Sequence, residues 1–260
     1  MKSLKEMLQL SSIAGYFKTA DAFALGRPDY PQALNEWLIK DLKLRHHSVV
    51  LELGAGTGKF TPRLLDIGAR VTAVEPVDAM RVQFAQRYPE IELLDGSAER
   101  IPLKSGTVDA VVCAHSFHWF ANPEALAEIY RVLKPGGRLG MAWNLRDASV
   151  DWVGKVAAVV SQVAGDSPRF YSQEWRKVFP FTGFSPLNER HFHHGHTGLP
   201  EDVILNRVKS ISFVGNLPEA EQQRVYAEVQ QIIATHPDLA GKDSVTVPYD
   251  TVAFHTVKIL

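Results

Sequence analysis

Cysteine is almost missing from this chain. Cys113 stands alone among 260 residues, which excludes an intrachain disulfide and fits a reducing compartment. Long apolar runs are missing too. No stretch approaches the ~18 residues of a membrane span, and Met1 to Ser12 carries lysines without the apolar core of a secretory signal. Nor is there a surplus of charge: 28 Lys and Arg against 29 Asp and Glu leave a net charge of −1, so there is no basic footprint for duplex nucleic acid. A cytoplasmic protein with neither nucleic-acid nor membrane partners is expected. With 45% hydrophobic residues the chain can bury a large core, and it reads as one decorated domain over 1–260.

What the chain does have is a glycine loop, Glu52-Leu53-Gly54-Ala55-Gly56-Thr57-Gly58. It follows the apolar run Val49-Val50-Leu51 and precedes an amphipathic segment from Phe60 to Ile67, so it joins a strand to a helix. Glycine accepts positive φ and has no Cβ, which lets backbone N–H groups touch a ligand. The helix start beside it favours negative groups. The spacing rejects two ligand classes. A dinucleotide fingerprint needs G-x-G-x-x-G, but the third glycine comes one residue early and Lys59 holds its position. A P-loop needs G-x-x-x-x-G-K-[ST], but Leu53 holds the first glycine position and Phe60 the hydroxyl position.

Strands and helices alternate after residue 45. Strands are predicted at Val49–Leu53, Arg70–Val74, Ile91–Leu94, Val108–Ala114 and Arg138–Trp143. Asp78 is expected to cap a helix to about Arg87, and Asn122 one that presents Leu126, Ile129, Tyr130 and Leu133 on one face. Pro135-Gly136-Gly137 should stop that helix. Before the core, Pro31 is placed to open a helix reaching Leu44. Beyond it, Asp151–Val163 looks helical, 165–186 reads as an aromatic insertion, and Leu187–His194 and Ser244–Lys258 read as strands. Helices near 201–210 and 218–234 lie between those two strands. Alternating β and α with short links implies a doubly wound α/β sheet, mostly parallel and covered on both faces.

The pattern E-x-G-x-G-x-G resembles the signature of class I S-adenosyl-L-methionine (SAM)-dependent methyltransferases. Glu75, 17 residues after Gly58, matches the acidic position that this family uses for the ribose hydroxyls. Gly96-Ser97-Ala98 resembles its adenine loop, with Ser97 where the family usually has Asp. Ile101-Pro102-Leu103, Gly106 to Val111, and Arg131 to Gly137 resemble its further core motifs. The likeness covers roughly residues 15–145. Arg27-Pro28-Asp29-Tyr30-Pro31, His115-Ser116-Phe117-His118-Trp119-Phe120 and Trp143-Asn144-Leu145-Arg146-Asp147 resemble the type-11 domain group, near trans-aconitate methyltransferase-like enzymes.

The resemblance implies a Rossmann-like, seven-stranded fold. It would have a helical cap over 1–45, a cofactor core over 46–145, an acceptor-side insertion with helices over 146–243 and a closing strand over 244–260. The implied cofactor is SAM, held by Arg27, Glu52, Gly54, Ala55, Gly56, Gly58, Glu75, Pro76, Met80, Gly96, Ser97, Ala98, Glu99 and His115. The implied partner is a small-molecule methyl acceptor. A SAM-binding protein without turnover is the alternative, and a macromolecular acceptor is a third reading. Against the third stands the absence, after strand four, of the Asn/Asp-Pro-Pro-Tyr element that the family's amino-nitrogen methylating members carry.

Ligands of open α/β sheets sit beyond the carboxyl ends of the strands. That places His115, Ser116, His118, Asn144 and Arg146 at the reaction mouth. His115 or His118 is expected to act as a base or to orient the acceptor. Tyr16 and Phe17 are candidates for a lid, and Phe117, Trp119 and Phe120 for core or pocket wall. His191, His193, His194 and His196 invite a metal, but strand alternation turns His194 away from His191 and His193, and no cysteine or carboxylate set completes a site.

Overall fold

The computed structural model describes residues 26–259. Tyr16, Phe17 and most of the expected helical cap lie outside them. Seven strands form one sheet in the order β3-β2-β1-β4-β5-β7-β6. They are β1 (Val49–Leu53), β2 (Arg70–Val74), β3 (Glu92–Leu94), β4 (Val108–Ala114), β5 (Leu133–Arg146), β6 (Asn188–Gly198) and β7 (Val245–Val257). The first five pair in parallel. β7 runs against its neighbours: Lys258 bonds Gly137 while Pro248 bonds Asp147 on the β5 side. On the β6 side, Ser185 bonds Val257 while Thr197 bonds Thr246. The predicted sheet is therefore observed, largely parallel with an antiparallel end.

The chain divides into two compact units. One contains Tyr30–Asn144, Pro168–Phe192 and 251–259. Within it, β1 and β4 are nearly continuous Val, Leu, Ala and Cys because helices bury both faces of the sheet. Helix α1 (Leu34–Lys40) inserts Leu34, Trp37 and Leu38, spaced i, i+3, i+4. A Cβ at Gly140 of β5 would come within 2.8 Å of the Trp37 ring and 2.7 Å of Leu42, so this glycine lets the helix lie close. Helices α2 (Thr61–Asp66), α3 (Asp78–Arg87) and α4 (Pro123–Val132) follow β1, β2 and β4. The other unit contains 26–29, Leu145–Ser167 and His193–Asp250. Its core joins Val153, Val156 and Val160 of α5 (Asp151–Gln162) to Val225 and Val229 of α6 (Glu219–Thr235). His236 bonds the Asp151 carboxylate at 2.8 Å across that pair.

Three boundary expectations are corrected. α1 starts at Leu34 and ends at Lys40, since Pro31 opens a turn whose carbonyl accepts from the Leu34 N–H. Asp78 does not cap α3. It is the first helical residue, Val77 is the cap, and the Asp78 carboxylate pairs with Arg81. α4 ends at Val132, three residues before the Pro-Gly-Gly turn. Leu133 already belongs to β5, and Lys134–Gly137 bulges out of that strand between the Val108↔Leu133 and Ala110↔Arg138 pairs. The Asn122 cap is as predicted, with its Oδ1 accepting from Ala125 N–H at 2.7 Å.

Candidate functional site

The carboxyl ends of β1, β2, β3 and β4 gather the sequence-predicted residues within one unit. Gly54, Gly56 and Gly58 all have positive φ, at 69°, 59° and 80°. Each is glycine for a different neighbour. A Cβ at Gly54 would lie 2.7 Å from Ser116 Cβ, and one at Gly58 would lie 2.4 Å from the Tyr88 ring. At Gly56 the nearest atom is Met80 Sδ at 3.8 Å, so this middle glycine is the one with open space before it. Ser116 Oγ donates to the Leu53 carbonyl at 2.8 Å and Tyr88 Oη to the Gly58 carbonyl at 3.1 Å. Those two side chains hold the loop from either side.

Glu75 ends β2 and is buried. Its Oε2 accepts the Gly56 N–H at 2.8 Å and its Oε1 accepts the Val77 N–H at 2.9 Å. Burial raises its pKa, opposed by those two hydrogen bonds and the Arg81 charge. Arg81 Nη1 donates to the Glu75 carbonyl at 2.8 Å and to Asp95 at 3.0 Å, which fixes α3 against the ends of β2 and β3.

Glu52 is in β1, two residues before Gly54. It is buried, and Thr61 Oγ1 donates to its Oε2 at 2.7 Å. Burial, with the nearby Glu75 adding to it, pushes Glu52 up to about 8 against the Thr61 bond. Its unfolded value is near 4.5, so the folded state keeps the proton over the window from about 4.5 to 8. Stability from this group is complete below the unfolded value and falls as pH rises through that window, by a few kcal/mol in order of magnitude. Glu52→Gln is expected to remove this slope. Melting temperatures of both proteins between pH 5 and 8.5 check it, and parallel curves would contradict it.

The adenine-loop candidates form a tight turn. Arg100 N–H bonds the Ser97 carbonyl at 3.2 Å, Ala98 is buried, and a Cβ at Gly96 would meet Pro102 at 2.8 Å. Glu99 Oε1 accepts from Asn122 Nδ2 at 2.8 Å, tying this loop to the start of α4.

After β4, His115 adopts φ 55°, uncommon for a non-glycine residue, while its N–H donates to the Ala142 carbonyl at 2.7 Å. The His118 ring centroid is 5.7 Å from that of His115, and Trp143 Nε1 donates to His118 Nδ1 at 3.0 Å. Asn144 Oδ1 accepts from Thr251 Oγ1 at 2.5 Å. Phe117 is fully buried and packs on Phe120 and Trp175. The aromatics of the insertion, half-buried Phe170 and buried Trp175, lie against Trp143 and Phe254.

Arg27 and Arg146 belong to the other unit, where the Arg27 guanidinium donates to the Ser210 carbonyl at 3.2 Å. The histidines of β6 have individual partners: Glu189 for His191 at 3.2 Å, Asp250 for His193 at 3.6 Å and the Tyr249 ring for His194. Cys113 is buried in β4, and burial pushes its thiol pKa up. Among the described residues no helix is long and apolar enough to cross a membrane. Sequence reasoning missed Thr61, Tyr88 and the Trp143–His118 bond, because all three depend on contacts between separate elements.

A glycine loop between β1 and α2, an acidic end to β2 and a reversed β7 in this strand order define the methyltransferase class. Residues 51–141 match the model of a methyltransferase domain, type 11. An uncharacterized methyltransferase-like protein of Schizosaccharomyces pombe is 39% identical over 244 residues, covering 93% of this chain and 95% of the relative. The chain belongs to the type-11 group of SAM-dependent methyltransferases. A structure named as a type II methyltransferase, from Anaeromyxobacter dehalogenans, superposes with TM-score 0.64 at 24% identity, over 90% of this chain and 98% of the other. Phosphoethanolamine N-methyltransferase 2 of Haemonchus contortus, in complex with phosphomonomethylethanolamine and S-adenosylhomocysteine, gives TM-score 0.56 at 15% identity, over 100% of this chain and 61% of the other. At these identities both structures speak to the fold alone.

Proposed function

We propose that the chain binds SAM at the glycine loop and Glu75 and methylates a small-molecule acceptor above β4 and β5. The Glu75 carboxylate carries the reading. Each of its oxygens has two lone pairs, and one on each is taken by a backbone N–H. The carboxylate is therefore held in a fixed plane with one acceptor site left per oxygen, which fits the two hydroxyls of a ribose. The open space before Gly56 fits a ligand that touches the loop backbone. Pro76, Met80, Gly96, Ser97, Ala98 and Glu99 would line the adenosine end, and Gly54, Ala55, Gly58 and His115 the methionine end.

SAM supplies an already activated methyl group. The residues of the chain then have to orient the acceptor in line and exclude water. The two histidines divide that work. An indole N–H only donates, so His118 Nδ1 must present its lone pair to Trp143. In the neutral ring the proton is then on Nε2, which makes His118 a hydrogen-bond donor to the acceptor molecule rather than a base. The opposite tautomer would set two donors against each other, at a cost of about 1–3 kcal/mol. His115, held in a strained conformation, is the base candidate, since such strain clusters at active sites.

Two variants separate these roles. His118→Ala is expected to lower kcat about tenfold or more while leaving SAM affinity unchanged. Trp143→Phe frees the His118 tautomer and is expected to alter the pH–rate profile with a smaller loss of kcat. Identical profiles for wild type and Trp143→Phe would remove the donor assignment. SAM binding without methyl transfer to any of a broad acceptor panel would favour the SAM-binding protein without turnover.

A further inference from the structure

The opposite end of the sheet carries a cavity of about 310 Å3, at the amino ends of β1, β4 and β5. It is lined by Lys43, Arg45, His46, His47, Lys134 and Arg138, in a chain whose net charge is −1. Asp109 is the single acid of the lining, and both its oxygens are committed: Oδ1 to Lys134 Nζ at 2.7 Å and Oδ2 to the Val49 N–H at 2.8 Å. Burial of that carboxyl is outweighed by the Lys134 and Val49 bonds and by the Lys134 and Arg45 charges, which hold it below the usual carboxylate range. The acid thus pairs with Lys134, and among the described residues no ion pair holds Lys43, Arg45 or Arg138.

Arg138 sharpens the picture. Its Nη1 donates to the Gly136 carbonyl at 2.9 Å, and its Nε is buried with no hydrogen-bond acceptor among the described residues. Burial lowers its pKa. The loop before β1 is locked by Arg45 N–H to Ser48 Oγ at 3.0 Å and His47 N–H to the Gly68 carbonyl at 2.7 Å. It holds Lys43 and His47 at φ 55° and 67°. The His46 and His47 rings touch edge to face at 3.9 Å between centroids. The His46 charge, then burial, then the Arg70 charge lower the His47 pKa.

We infer that this cavity is a binding site for a phosphorylated small molecule, separate from the methyl-transfer site. Guanidinium, ammonium and imidazole groups lining one cavity suit phosphate oxygens. The volume is at the lower end of ligand pockets, which leaves room for an organic part beside the phosphate. β1 runs from its edge to the glycine loop. The six steps from Ser48 to Gly54 span about 20 Å, too far for one ligand to serve both ends.

Calorimetric titration with ribose 5-phosphate at constant ionic strength tests this, with ribose as control. Wild type and Glu75→Ala are expected to bind ribose 5-phosphate saturably and alike, and neither should bind ribose. Lys43→Asn, which keeps a residue tolerant of the left-handed conformation, and Arg45→Ala should each weaken binding fivefold or more. Absence of saturable binding, equal binding of ribose, or unchanged affinity in both basic-residue variants would overturn the site.

Discussion

Glu75→Ala is expected to lower SAM affinity at least a hundredfold. Two hydroxyl hydrogen bonds to a carboxylate contribute about 1.5–3 kcal/mol each, so losing both spans about two to four powers of ten. The fixed plane of the carboxylate increases the effect, because both acceptors are held in place before the ligand arrives. The substitution also leaves the Gly56 and Val77 N–H groups without their partner. Glu75→Gln therefore belongs beside it: the amide keeps one acceptor, and its affinity should fall between the two. Calorimetry measures affinity, and melting temperature shows how much of any change is folding. Wild-type affinity in a folded Glu75→Ala protein would contradict the assignment.

Gly54→Ala is expected to destabilise the fold by about 2–4 kcal/mol. The left-handed conformation costs alanine about 1–2 kcal/mol. The new Cβ would also meet Ser116 Cβ at 2.7 Å and Oγ at 3.0 Å. Ser116 cannot retreat without giving up its buried bond to the Leu53 carbonyl, worth a further 1 kcal/mol or more by the usual cost of an unmade hydrogen bond. Gly56→Ala makes the contrast. It meets only Met80 Sδ at 3.8 Å, so its stability loss should stay near the conformational term of about 1 kcal/mol. Its Cβ points into the open side of the loop, and SAM affinity should suffer more than stability. Denaturant unfolding of both variants, with SAM titrations, checks this reversal.

The sheet was legible because its strands are short, apolar and separated by glycine and proline punctuation. β1, β2 and β4 begin and end where the residue pattern places them. The misplaced ends have different causes. At Pro31 a turn bond to Leu34 delays the helix, at Asp78 the side chain pairs with Arg81 one turn on, and at Leu133 pairing with Val108 across the sheet takes the residue into a strand. The glycine loop and Glu75 were readable since their chemistry lies in residue type and spacing. Thr61 under Glu52, Tyr88 against Gly58 and the Trp143 indole on His118 were not, because no local pattern specifies which side chains meet across a fold. The basic cavity was unreadable for the same reason. Its residues come from 43–47 and 134–138, and the chain as a whole is close to neutral.

The spacing of Gly54, Gly56 and Gly58 with Glu75 is the centre of this account, and competitive ligand binding tests it directly. SAM, S-adenosylhomocysteine, NAD and ATP are titrated into the wild-type protein under one set of conditions. SAM and S-adenosylhomocysteine are expected to bind with one-to-one stoichiometry, and NAD and ATP to leave that site empty. Tighter binding of NAD or ATP there, or no binding of SAM, would contradict it.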